Sequence, residues 1–135
     1  MSDKAIGAYT SVQKETMDGR EMEASLLSRA AALLSLCQDM WEQDGHFERL
    51  DNALRFNQRL WTFFQAELAE ESNPLPTEIK QNLLNLSAFI DKRTFEVMAY
   101  PAREKLSVLI NINKQIAAGL APAPAPVAED ESASP

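Results

Sequence analysis

The sequence predicts an all-α protein: a four-helix antiparallel bundle over residues 18–120, with a short N-terminal arm (1–17) and a disordered Ala-Pro acidic tail (121–135). Two observations carry this. Apolar residues recur at three- and four-residue spacing in four long segments, the period of a helix with one buried face. Those segments are separated by helix-stopping residues, Asp44-Gly45, Ser72-Asn-Pro-Leu-Pro76 and Pro101, with connections short enough to force neighbours antiparallel.

In the arm, Ala5, Ile6, Tyr9 and Val12 have helical spacing, but so short a segment is not a stable helix alone in water. It either docks or frays. Asp18 with Glu21 has the form of a capping box that opens the first helix. Met22, Leu26, Leu33, Cys37 and Met40 form its stripe, flanked by Ala30, Leu34 and Trp41, and Gly45 is suited to end it in left-handed geometry. The second helix runs from near Phe47 to about Glu71 and is the element around which the rest is organised. Leu50, Leu54, Asn57, Trp61, Phe64 and Leu68 share one face. Phe56 and Phe63 lie on the far side, so this helix is either sandwiched between neighbours or offers a side to a partner. Glu67, Glu70 and Glu71 oppose the helix dipole at its end, giving a frayed turn or an acidic rim for a basic partner.

Pro76 suits the start of a third helix, with Ile79, Leu83, Leu86, Ile90 and Val97 inward and Phe89, Phe95 and Met98 widening the stripe. Pro101 favours a fresh fourth helix to Gly119, with Leu106, Leu109, Ile112, Ile116 and Leu120 inward, over one kinked helix. Beyond Leu120 the repeated Ala-Pro and the acids Glu129, Asp130 and Glu131 exclude packed structure.

The 135 residues carry a net charge of −7 and 45% apolar residues, sufficient for one core. No basic stripe is visible, which argues against direct nucleic-acid binding. No apolar run approaches a membrane span and the N-terminus lacks a leader pattern, so a cytoplasmic protein is expected, with no membrane partner. Cys37, the one cysteine, reads as core filler, and His46, the one histidine, has no second ligand at metal spacing. No catalytic, cofactor or metal motif appears, and the expectation is a protein that is not an enzyme. Asn57 and Asn113 interrupt apolar faces. Either each satisfies a helix end or loop carbonyl, or they accept a partner's backbone.

Arg20-Glu21 with Glu23, NQRLW at 57–61 and NPLP at 73–76, together with Tyr9, resemble the FlaF family of bacterial flagellar biosynthesis regulators over about residues 5–120. The resemblance implies an all-helical, non-enzymatic cytosolic protein that binds flagellin before secretion and promotes its synthesis and export. It would act opposite to FlbT, the companion that restrains flagellin translation. It also singles out Tyr9, Arg20, Glu21 and Asn57. Flagellin must hide amphipathic terminal helices before assembly, and an apolar groove covers such a helix best. Phe56 and Phe63 are the candidate anchors of that groove, above Trp61. Arg59 faces either a partner carboxylate or a surface acid such as Asp51 or Glu48. The alternative function is regulation of flagellin translation through FlbT, without contact to flagellin.

Overall fold

The computed structural model describes residues 19–120. The arm, Asp18 of the expected capping box and the tail lie outside them, and so does Tyr9. The described residues form α1 (Gly19–Asp39), α2 (His46–Ala69), α3 (Thr77–Ala99), a 3-10 turn (Arg103–Lys105) and α4 (Leu106–Leu120). They make the expected antiparallel bundle, and the boundaries show where local chemistry decided the ends.

The first helix stops at Asp39, before the expected Asp44-Gly45. The freed turn carbonyls go to Arg49, whose guanidinium donates to Met40 O at 2.8 Å, Gln43 O at 3.4 Å and Asp44 O at 3.1 Å. Arg49 is therefore a clasp for the hairpin. Gly45 does adopt the left-handed geometry, φ +82°, but as the residue leading into α2. The rings of Trp41 and His46, 4.1 Å apart, stack across the same turn.

The acidic end of α2 is closed by Asn73. Its amide donates to Glu67 O at 3.1 Å, its backbone N–H bonds Glu70 O, and its side-chain oxygen accepts the Leu75 N–H at 3.0 Å. The asparagine of NPLP thus makes the turn, and Pro76 stands just before α3. At the other end of α3, Tyr100 (φ −138°, ψ 80°) has left helical geometry, as its place before Pro101 requires. A fresh helix does follow, but it starts at Leu106, because Ala102 is extended and residues 103–105 wind as a 3-10 turn.

α1 packs most closely on α4, where Ala30 and Ala31, both buried, permit close approach. α1 also packs on α2 and α2 on α3, whereas α3 meets α4 only slightly. The order around the bundle is α4–α1–α2–α3, with an incompletely closed seam between α3 and α4. Met22, Leu27, Leu34, Leu54, Leu60, Trp61, Ile90, Leu106 and Leu109 fill the interior. Each such side chain contributes about 1.5–3 kcal/mol by leaving water.

The broad stripe expected on α3 is the main correction. Ile90 and Val97 are buried, joined by Ser87 and Thr94, whose hydroxyls donate to Leu84 O and Ile90 O. Ile79, Phe89, Phe95 and Met98 are 38–59% exposed. With one close neighbour, α3 buries only a narrow line, and small polar residues suffice on part of it. On α4, Leu106 and Leu109 are buried as expected, while Ile112, Ile116 and Leu120 are half-buried and Ile110, Asn113 and Ala117 complete the inner face.

Candidate partner surface

The buried asparagines bond to each other. Trp61 Nε1–H donates to Asn113 Oδ1 at 2.9 Å, and Asn113 Nδ2 donates to Asn57 Oδ1 at 2.8 Å. Neither expectation for these residues matches this arrangement, since the partners are side chains of α2 and α4 rather than a loop carbonyl or another protein. Asn57 and Trp61 stand one turn apart, at the two ends of NQRLW, so that motif encodes an internal tie between α2 and α4. Asn57 is fully buried, out of reach of a docked partner, and its Nδ2 has no acceptor.

Phe56 is 6% exposed, with the Arg29 guanidinium of α1 over its ring, 5.7 Å from the centroid. At this position α2 is sandwiched, the first of the two options that its second apolar line left open. Arg29, Leu33, Asn52, Arg55, Phe56 and Arg59 line a shallow depression of about 260 Å³, so Phe56 and Arg59 do come together. Asp51 pairs with Arg55 at 2.9 Å. Phe63, half-buried, lies two turns on, its ring 6.0 Å from that of Phe64. Arg20 is exposed and its Nη2 donates to Gly119 O at 3.3 Å, tying the start of α1 to the end of α4; Glu21, in the first turn of α1, is half-buried.

The apolar surface left uncovered lies instead along the α3–α4 seam. Gln65 of α2 bonds Asp91 at 3.0 Å, which fixes the flank of α3 that faces α2. At about 100° per residue, Ile79, Leu86, Phe89 and Arg93 lie on the opposite flank. Arg93 Nη1 there reaches Lys105 O at 3.4 Å, beside the start of α4. On α4, Gln38 of α1 bonds Ser107, and Val108, Ile112 and Ile116 run at four-residue spacing along the flank away from α1. Ile79 and Phe89 are exposed by 44% and 39%; Leu86, Val108, Ile112 and Ile116 pack against the core with one side open. Of the residues expected to widen the core stripe, Phe89 therefore borders a surface track, together with Ile79 and Leu86, which were expected inward, while Phe95 and Met98 lie towards the flank of Asp91. The signal in the sequence was the excess of apolar residues on the third helix over what a two-sided bundle position can bury.

Cys37 is buried and its Sγ–H donates to Arg49 O at 3.4 Å. Burial pushes the thiol above its ordinary pKa, with the Arg49 charge pulling the other way. Among the described residues no helix is long and apolar enough to cross a membrane.

Searches of curated proteins and of solved structures each returned no match. The family model described as flagellar protein FlaF, however, matches residues 5–120, which takes in every described helix together with most of the arm and leaves out the tail. The helical bundle and its NQRLW tie are thus those of a flagellar protein, and the chain belongs to the FlaF family.

Proposed function

We propose that this flagellar protein binds flagellin in the cytosol and promotes its synthesis and export, with the α3–α4 seam receiving an amphipathic flagellin helix. The observation that carries the reading is the track of Ile79, Leu86 and Phe89 facing Val108, Ile112 and Ile116. Two antiparallel helices that meet only slightly leave a groove, and a third amphipathic helix completes it with anchors three and four residues apart. A flagellin subunit held this way cannot polymerise through that helix. Affinity comes from a few apolar anchors, Phe89 first among them, its ring edged by the Arg93 guanidinium, which lies 5.7 Å from its centroid and pairs with Glu96 at 3.6 Å. Phe56, being buried, contributes by holding α1 to α2, and Phe63 and Arg59 stand on another face.

The test is co-purification with soluble flagellin of the wild type, an Ile79→Ser/Phe89→Ser variant and a Phe56→Ser/Phe63→Ser variant, each checked for helicity by circular dichroism. Loss of flagellin from the folded seam variant supports the proposal. Equal binding by wild type and seam variant removes the seam. If no form binds flagellin while the wild type binds FlbT, the regulatory reading takes its place.

A further inference from the structure

We propose that the groove between α1 and α2 is a second docking face, which takes a helix of a partner protein that sets a carboxylate among apolar side chains. The order α4–α1–α2–α3 puts this groove across the bundle from the α3–α4 seam, so the two faces can be occupied at once and neither proposal rests on the other. Charge picks out the place. The chain carries 20 acidic residues against 13 basic, yet the facing stretches 24–38 of α1 and 52–66 of α2 hold three arginines and no acid. Those three, Arg29, Arg55 and Arg59, line the same depression of about 260 Å³. The Arg29 guanidinium lies 5.7 Å from the Phe56 ring centroid, and among the described residues no carboxylate answers it. Arg55 donates to Asp51 from Nε at 2.9 Å, and a guanidinium so held still has two Nη groups to offer a second carboxylate. Asn52, exposed beside them, adds an amide donor. Like charges gathered at one site repel, and a bound carboxylate relieves that repulsion while matching the fork of an arginine.

The shape of the groove supplies the rest. Phe56, 6% exposed, and the half-buried Leu33 floor the depression. At about 100° per residue, Leu36 falls on the line of Arg29 and Leu33, and Phe63 on the line of Asn52, Phe56 and Arg59. Leu36 is 44% exposed and Phe63 half-buried, so the arginines stand between an apolar foothold at either end. The contacts of Cys37 with Arg49 and of Arg29 with Phe56 fix the antiparallel register, in which Leu36 and Phe63 lie about 20 Å apart along the axis. That is the length of a helix of about 13 residues, apolar towards its ends and acidic in its middle turn. Nucleic acid, by contrast, needs cations spaced along its backbone, whereas these are confined to one depression in a chain of net charge −7.

The probe is a fluorescein-labelled helical peptide of about 13 residues, with leucines near both ends and glutamates in its middle turn; its control has glutamine in place of glutamate. Fluorescence anisotropy with the full chain should show the glutamate peptide bound about tenfold more tightly than the control. Arg29→Gln/Arg55→Gln, checked for helicity by circular dichroism, should abolish that preference, and Arg29→Lys/Arg55→Lys should restore only part of it, since charge remains without the fork. The Ile79→Ser/Phe89→Ser variant should hold the peptide as the wild type does, which separates this outcome from that of the flagellin test. Equal affinity for the two peptides, or binding of neither, overturns the proposal, and that comparison needs no variant to fold. A preference that survives Arg29→Gln/Arg55→Gln, or one lost in the seam variant, overturns it as well. Displacement of the peptide by oligouridylate overturns it and assigns the arginines to nucleic acid.

Discussion

Replacing Asn113 by alanine strands two buried polar groups beside one that is unpaired already. Trp61 Nε1–H and Asn57 Oδ1 lose their partner, and Asn57 Nδ2 already has none. Each newly stranded group costs about 1–3 kcal/mol, so Asn113→Ala should destabilise by about 2–6 kcal/mol, out of a total of about 5–15 kcal/mol for a domain this size. Asn57→Ala is different in kind. It leaves Asn113 Nδ2 stranded but deletes the amide that was stranded before, so the count of unsatisfied groups does not change. Its cost is one hydrogen bond, about 1 kcal/mol, plus lost packing. In the double variant only the indole N–H remains unpaired. The double variant should therefore be no less stable than Asn113→Ala alone, although adding the single costs predicts otherwise. Urea denaturation followed by circular dichroism, with equal m-values required, gives the four stabilities. Additive costs would refute the connected chain, as would Asn57→Ala proving the worse single substitution.

Arg49→Ala should cost about 2–4 kcal/mol in the same urea assay, since charged donors to three carbonyls are lost together, and Arg49→Lys should recover less than half because one ammonium cannot span all three. Gly45→Ala meets only Arg49 Nη1 at 3.4 Å, so its cost, about 1–2 kcal/mol in thermal unfolding, reflects the φ of +82° alone. Because the folded Cys37 thiol titrates above its ordinary value of 9.0, the unfolded thiol loses its proton first. Cys37's contribution to stability is accordingly complete below pH 9 and falls as pH rises past it, a decline that Cys37→Ala should abolish in urea titrations at pH 8 and 10. Iodoacetamide should alkylate the native thiol far more slowly than the unfolded one at pH 8.

Helical period made the bundle and the inner face of α2 legible, and proline chemistry gave the breaks at Pro76 and Pro101, but on α1 the expected stripe included Met40, beyond the helix end, and left out Leu27 and Ala31, which are buried. What it missed were partnerships distant in sequence. Arg49 looks like any surface arginine until the carbonyls of the preceding turn are placed beside it. Asn73 reads as a loop residue and is the cap that the acidic end of α2 needs. Asn57 and Asn113 were recognisable as exceptions to their stripes, but their bond crosses 56 residues and no local spacing announces it. At the candidate site, apolar periodicity measures how much a helix could bury and not how much its neighbours allow. Phe56 and Phe89 are equally hydrophobic in the sequence and each lies under an arginine, Arg29 or Arg93; one is buried against α1 and the other stays partly open because α4 meets α3 only slightly.

The closest contact in the bundle joins its first and last helices, and that sets the order of events during synthesis. Residues 40–105 form the loop that this pairing closes, at a chain-entropy cost of about 4 kcal/mol beyond the fixed term. Until Leu120 has been made, the alanine face of α1 has nothing to rest on, and α2 and α3 can assemble only a half-open hairpin array. A nascent chain cut short before α4 would expose Leu27, Ala30, Ala31 and Leu34 together, a ready target for quality-control proteases. For this bundle, adding α4 and acquiring a protected fold are very nearly the same event.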